Sequence, residues 1–113
     1  MAAFPDFQKL YQALNARNAD GALRDLTDDI DWPGAGGQGR IFGQAALKHD
    51  WTQYWSVASD RLEPKGIGVL PDGRIVVDAR QVVTAPDGAV RSERKVRHTF
   101  TLRDGKIARM DVD

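Results

Sequence analysis

Apolar positions at the start of the chain recur with a helical period. Phe4, Phe7, Leu10, Tyr11 and Leu14 lie three and four residues apart, and Pro5 and Asp6 supply a first-turn signal, so the pattern predicts an amphipathic helix with one face on a core. The pattern breaks at Asn18 to Asp20, and Ala22, Leu23 and Leu26 then predict a short second helix started by Asp20. Residues 27–32 (TDDIDW) alternate, with Ile30 and Trp32 on one side, which predicts a strand that Pro33 ends. Residues 33–43 (PGAGGQGRIFG) read as a glycine-rich loop, followed by a third helix whose stripe is Leu47, Trp51, Tyr54, Trp55 and Ala58. After Asp60 the period falls to about two. Turn signals at 71–73 (PDG), 86–88 (PDG) and 104–105 (DG) separate residues 62–70, 74–85, 89–103 and 106–112, which predicts four antiparallel strands joined by hairpins. Helices come first and strands last, so the expected class is α+β: a cone-shaped, curved antiparallel sheet packed on three N-terminal helices, in one domain spanning residues 1–113.

Tight turns set strand register, so counting outward from them assigns faces. With Asp104 and Gly105 central, Leu102 opposes Ile107, Phe100 opposes Arg109 and His98 opposes Asp111. With Asp87 and Gly88 central, Val77 opposes His98, Ala79 opposes Val96 and Asp78 opposes Arg97. One face is then apolar apart from His98, while Asp78, Arg80, Glu93, Lys95 and Arg97 fall on the other, with Asp78 and Arg97 as an exposed cross-strand ion pair. The last strand resists strict alternation, which would turn Arg109, Asp111 and Asp113 inward and Met110 and Val112 outward. A β-bulge near Arg109 returns Met110 and Val112 to the core and points Asp111 away from His98. Without the bulge, the two form a buried acid–imidazole pair, and Asp111 joins His98 as a candidate catalytic group.

Composition narrows the chemistry. The 113 residues carry 16 basic and 16 acidic side chains, two histidines and no cysteine. The lack of cysteine removes disulfide frameworks, cysteine nucleophiles and thiolate metal sites. Charge balance removes the long-range basic field expected of a nucleic-acid or membrane-surface binder, and the dense run at 91–97 (RSERKVR) reads as a solvated outer strand face. No segment has the ~20 apolar residues of a membrane span, nor does the N-terminus read as a secretory signal, so a cytoplasmic protein is expected. His49 falls on the polar side of the third helix, and two distant histidines make no metal site. Residues 34–39 (GAGGQG) match a dinucleotide fingerprint in form only, because Arg40, Ile41 and Phe42 intervene before the helix that would meet the phosphates. A rim or lid over a pocket is the expected role of this loop, with Arg40 at its edge. No metal or cofactor is expected.

This order of elements resembles the nuclear transport factor 2-like superfamily, specifically its SnoaL-like and ketosteroid-isomerase-like branch. The resemblance rests on residues 13–23 (ALNARNADGAL), the strand ending at Trp32, the helix start at Gly43, the hairpin at 103–107 (RDGKI), and Met110 to Val112. It implies a cystatin-like cone with an apolar pocket between sheet and helices, frequently dimerising through the outer sheet face, where Val76 and Val82 lie between charges. Isomerases, cyclases, dehydratases, epoxide hydrolases and non-catalytic proteins share that fold. Counting back from the hairpin glycine, His98 falls where the ketosteroid isomerases carry an oxyanion-donating aspartic acid and the SnoaL-type polyketide cyclases carry their acid–base aspartate. The isomerase general base falls near Gly34 and its first-helix tyrosine near Leu10, so two of three isomerase groups are missing. The acid–arginine–acid relay of the epoxide hydrolases needs inward charges, whereas Asp78 and Arg80 face outward.

His98 is therefore the leading catalytic candidate, since a desolvated imidazole is neutral and works as acid, base or oxyanion donor near neutral pH. Its alternative is a core histidine bonded to Tyr11, Tyr54 or a backbone carbonyl. Trp32, Trp51, Tyr54, Trp55 and Met110, with Tyr11, Val96 and Phe100, are the expected walls of a site for a small apolar organic ligand, or else a filled core. The expected function is small-molecule binding with cofactor-free acid–base chemistry of the isomerase, cyclase or hydrolase type. A non-catalytic binding or dimerisation module of the same fold is the alternative.

Overall fold

A computed structural model describes residues 5–35 and 39–113. Three helices precede and interrupt a six-stranded sheet: α1 (Phe7–Asn15), α2 (Ala19–Leu23), β1 (Leu26–Pro33), β2 (Arg40–Phe42), α3 (Gln44–Trp55), β3 (Ser59–Val69), β4 (Ile75–Thr84), β5 (Val90–Arg103) and β6 (Lys106–Val112). Asp6 caps α1 by accepting from the Lys9 amide at 3.1 Å. Helix α2 is capped by Asn18, which accepts from the Gly21 amide at 3.0 Å. Asp20, expected to start α2, instead lies within it and pairs with Lys48, because Asn18 presents its amide oxygen two residues earlier. Phe4, expected in the first apolar stripe, lies outside the described residues.

The strand order is β2-β1-β6-β5-β4-β3, antiparallel throughout except where β1 runs parallel to β6. The sheet is thus mixed rather than wholly antiparallel, because β1, which precedes α3 and the meander, runs in the same direction as the last strand β6 beside it. Residues 40–42, expected within the glycine-rich loop, form β2 and pair with β1, Ile41 opposite Trp32. So short a segment in a glycine-rich stretch carries no alternation to detect.

Register follows the turns, with two instructive departures. Leu102 opposes Ile107, but Thr101 opposes Arg109, so Ala108 is an extra residue and the bulge sits there. Met110 then opposes Phe100 and Val112 opposes His98, while Asp111 opposes Thr99 on the outer face. Between β4 and β5 the expected pairs Val77–His98, Asp78–Arg97 and Ala79–Val96 all occur. The turn itself differs: Ala85 bonds Ala89 around a three-residue loop in which Gly88 has φ +88°, a conformation that favours glycine. An extra residue at Arg91 offsets that longer loop, so the two shifts cancel and the register is kept.

The buried side chains Phe100, Leu26, Ile30, Leu47, Ile75, Ile107 and Val77 form the centre of the core between sheet and helices. Phe7 of α1 lies 5.0 Å from Phe100, ring centre to ring centre. Asn15 fastens the end of α1 to the free edge of β3, donating to the Leu62 carbonyl and accepting from its amide, both at 2.8 Å. On the outer face Arg97 meets Asp78 at 2.9 Å and Arg80 meets Glu93, while Val76 and Val82 are half-buried among them rather than exposed.

Candidate active site

Inward positions on the three adjacent strands farthest from β1 alternate in step. Asp60 and Leu62 come from β3, Val77, Ala79, Gln81 and Val83 from β4, and Ser92, Arg94, Val96 and His98 from β5. The apolar ends of these rows lie under α1 and the polar ends lie toward an opening. The result is a cavity of about 480 Å³ walled by the sheet, α1 and α3.

At its inner end, Tyr11 and His98 form a pair. The tyrosine Oη and histidine Nδ1 are 2.7 Å apart, and the rings lie nearly parallel with centres 5.8 Å apart. Burial pushes the Tyr11 phenol up and, together with the Arg94 cation, pulls His98 down from 6.5 to about 4, with burial the larger cause. The imidazole is therefore neutral at pH 7. Tyr11 is only 2% exposed and has no other acceptor among the described residues, so hydrogen-bond satisfaction makes its O–H the donor to Nδ1. That assigns the ring proton to Nε2, which has no protein partner among the described residues.

A second polar chain runs near the opening. Tyr54 donates to Asp60 Oδ1 at 2.5 Å, Gln81 Nε2 donates to Asp60 Oδ2 at 2.8 Å, and Arg94 Nε donates to Gln81 Oε1 at 3.2 Å. Burial and the Asp60 carboxylate both raise the Tyr54 phenol, so Tyr54 stays a donor. Asp60 is the one carboxylate lining the cavity among the described residues.

Of the residues expected at a site, Tyr11, Trp32, Trp51, Tyr54 and Trp55 border the cavity. So do His98, Phe100 and Met110. Trp51 stacks on Trp55 and meets Trp32 edge-on, which holds the three indoles as a rigid wall. Val96 is buried on the same face, opposite Ala79, but is not part of the cavity wall. Asp111 is not a partner of His98. The Ala108 bulge turns it outward, where Arg109 holds it at 3.0 Å and keeps its carboxyl below the usual carboxylate range. Arg40 is not a free rim cation either: it donates to Asp31 at 2.6 Å, to the Met110 carbonyl at 2.7 Å and to Asp111 at 3.2 Å, tying β2 and β1 to β6.

Four polar residues of the cavity, Asp60, Gln81, Ser92 and Arg94, are not among the expected site residues. Asp60 and Gln81 continue the inward parity of Leu62 and Ala79, and starting the third-to-last hairpin at Leu62 left Asp60 outside it. Arg94 was grouped with a basic outer face, although it has the parity of His98 and Val96. Leu10, at the position of the missing isomerase tyrosine, is packed in the core, and the neighbouring Tyr11 reaches His98. Gly34 does border the cavity, without a side chain to act as base, and Asp50 anchors the following loop by accepting from the Ala35 amide at 3.0 Å. Gly36 to Gln38, at the centre of the expected lid and of the nucleotide-like motif, lie outside the described residues.

Comparison with known proteins agrees with this architecture. The profile of the SnoaL-like domain matches residues 7–110. The fold superposes on TerC, co-crystallised with polyporic acid, with a TM-score of 0.79 and 27% identity over 95% of this chain and 86% of that one. A candidate polyketide cyclase from Sinorhizobium meliloti gives a TM-score of 0.78 and 25% identity, over 97% of this chain and 95% of that one. An epoxide hydrolase from M. tuberculosis, at 17% identity, 94% and 77% coverage and a TM-score of 0.76, shares the fold. Among curated protein sequences none matches.

Proposed function

We propose, from the premise that this chain belongs to the SnoaL-like domain family, that its cavity binds a flat, largely apolar organic molecule and works on it by acid–base chemistry run by the protein's own side chains. One observation carries the reading: a neutral, buried imidazole, set by Tyr11, borders a cavity of about 480 Å³ walled by aromatic rings. That volume is in the range of small-molecule sites. The candidate polyketide cyclase and the TerC structure with polyporic acid support a small organic ligand.

In this reading, Nε2–H of His98 is a hydrogen-bond donor to an oxygen on which negative charge develops. A neutral donor in a water-poor site stabilises such an oxygen without first having to lose a salt bridge. Asp60, held by Tyr54 and Gln81, is the carboxylate that takes or returns a proton, since each of its oxygens has a lone pair left after those bonds. The walls of Trp32, Trp51 and Trp55 set the ligand plane. Isomerase, cyclase and hydrolase reactions all draw on this pair of roles.

A non-catalytic binding module is the second reading, favoured by one feature: a phenol, not a carboxylate, is the partner of the His98 ring. A thermal-shift screen with steroids, phenols and polyketide fragments, followed by turnover assays on the hits, separates the two. A concentration-dependent rise of the midpoint is expected for a cavity ligand. The His98→Ala variant is expected to unfold cooperatively yet lose that rise and any turnover. Binding and turnover unchanged in His98→Ala would sink the assignment.

A further inference from the structure

Arginines on the sheet are nearly all neutralised by acids. Arg40, Arg61, Arg80, Arg97, Arg103 and Arg109 each lie within salt-bridge distance of a carboxylate. Arg91 and Arg94 have none among the described residues, and of these two only Arg94 lines the cavity. Its cross-strand neighbour is Gln81, whereas the outward-facing pair three register positions away has Asp78 opposite Arg97. The glutamine amide takes only Nε of the guanidinium, leaving the four N–H groups of the two terminal nitrogens without a protein acceptor among the described residues. Asp60, the nearest acid in the polar chain, is occupied by Tyr54 and by the other end of the same amide, so Gln81 holds acid and cation apart.

The position of this cation is as telling as its lack of a counter-ion. Arg94 is on the cavity wall, four residues from His98 and on the same face, and its charge reaches the imidazole strongly enough to contribute to lowering it. Arg94 is exposed at the cavity opening, and an uncompensated guanidinium whose Nε is held there by Gln81 is oriented for an oxyanion.

We propose that Arg94 is a specificity determinant that selects ligands bearing an ionised oxygen, such as a carboxylate, at the end of a flat apolar body. The inference rests on the ligand-binding reading above and names its substrate class: planar aromatic or polyene acids, oriented with the anionic end at the opening and the apolar body against the indole wall.

Isothermal titration of matched probes tests it, using 2-naphthoate and the isosteric neutral 2-naphthamide on the wild-type protein and on Arg94→Met, Arg94→Lys and Lys95→Gln. Wild type is expected to prefer the acid by ~10-fold, the size of one partly screened charge-assisted bond. Arg94→Met is expected to bind the amide as before and lose the preference, Arg94→Lys to keep part of it, and Lys95→Gln, on the outer face opposite Arg80, to keep it in full. Raising the salt from low to physiological concentration should narrow the gap, because the opening is solvated. Equal affinities for acid and amide in wild type, or an acid preference that survives Arg94→Met, overturn the role of Arg94 while leaving the binding site standing. If neither probe binds, the site itself is refuted, and this inference with it.

Discussion

Acid should weaken this fold through a single side chain before its carboxylates begin to titrate. His98 is 5% exposed and held near pKa 4, against 6.5 for an ordinary histidine. Above pH ~6.5 the ring is neutral in both the folded and the unfolded chain, and its contribution to the pH dependence is nil. Between about 6.5 and 4 the unfolded chain takes up a proton that the folded protein refuses, so stability falls as pH falls, by at most ~1.4 kcal/mol per unit. The full loss approaches ~3 kcal/mol near pH 4, of which ~2 kcal/mol has gone by pH 5; below pH 4 both states are protonated and the slope from this residue vanishes. A loss of that size is a large fraction of the stability of a small domain. The test is urea unfolding followed by tryptophan fluorescence at pH 7.5, 6.5, 5.5 and 4.5, on wild type and on His98→Gln. The glutamine amide keeps a partner for Tyr11 and does not titrate, so subtracting the variant removes the contribution of every other group. The difference in unfolding free energy between the two proteins should shift toward the variant by ~2.5 kcal/mol from pH 7.5 to 4.5. A difference that stays constant across this range refutes the buried neutral imidazole and, with it, the chemistry assigned to His98.

Tyr11→Phe deletes the donor to His98 Nδ1 at 2.7 Å and leaves a buried acceptor unsatisfied, so it should cost about 1–2 kcal/mol in chemical denaturation and also raise the measured His98 pKa or broaden its titration by NMR. Asp31 is 17% exposed on its side chain and accepts from Arg40 at 2.6 Å and Arg109 at 2.8 Å; Asp31→Ala should cost about 1–3 kcal/mol and speed amide exchange in β2 first, since Arg40 is what ties that short strand to its neighbours. Unchanged exchange in Arg40 to Phe42 would count against that role.

Much of the inner face was legible in the chain because the side-chain period of a strand is two and hairpin turns set its phase. Val77, His98 and Phe100 were placed inward by counting alone, and the bulge was required by the clash between alternation and burial at Met110 and Val112. The count also survived a wrong turn length, since the extra residue at Arg91 compensated for the three-residue loop at Pro86 to Gly88. The polar half of the cavity was harder to see. Gln81 and Asp60 are joined only when β3 and β4 pair, and Arg94 looked like one more charge in a basic run until its parity was set beside that of His98.

The amino-acid sequence by itself determined the class of fold, the amphipathic helices, the meander, and the placement of one histidine among apolar neighbours, because each of these depends on local periodicity and turn chemistry. Only the tertiary structure decided which partner that histidine has, which charges are neutralised and which is left open to the cavity. Those outcomes depend on strands brought together from distant parts of the chain. Tyr11 meets His98 across 87 positions, Arg40 meets Asp111 across 71, and Arg94 finds a glutamine where most of the sheet's arginines find acids.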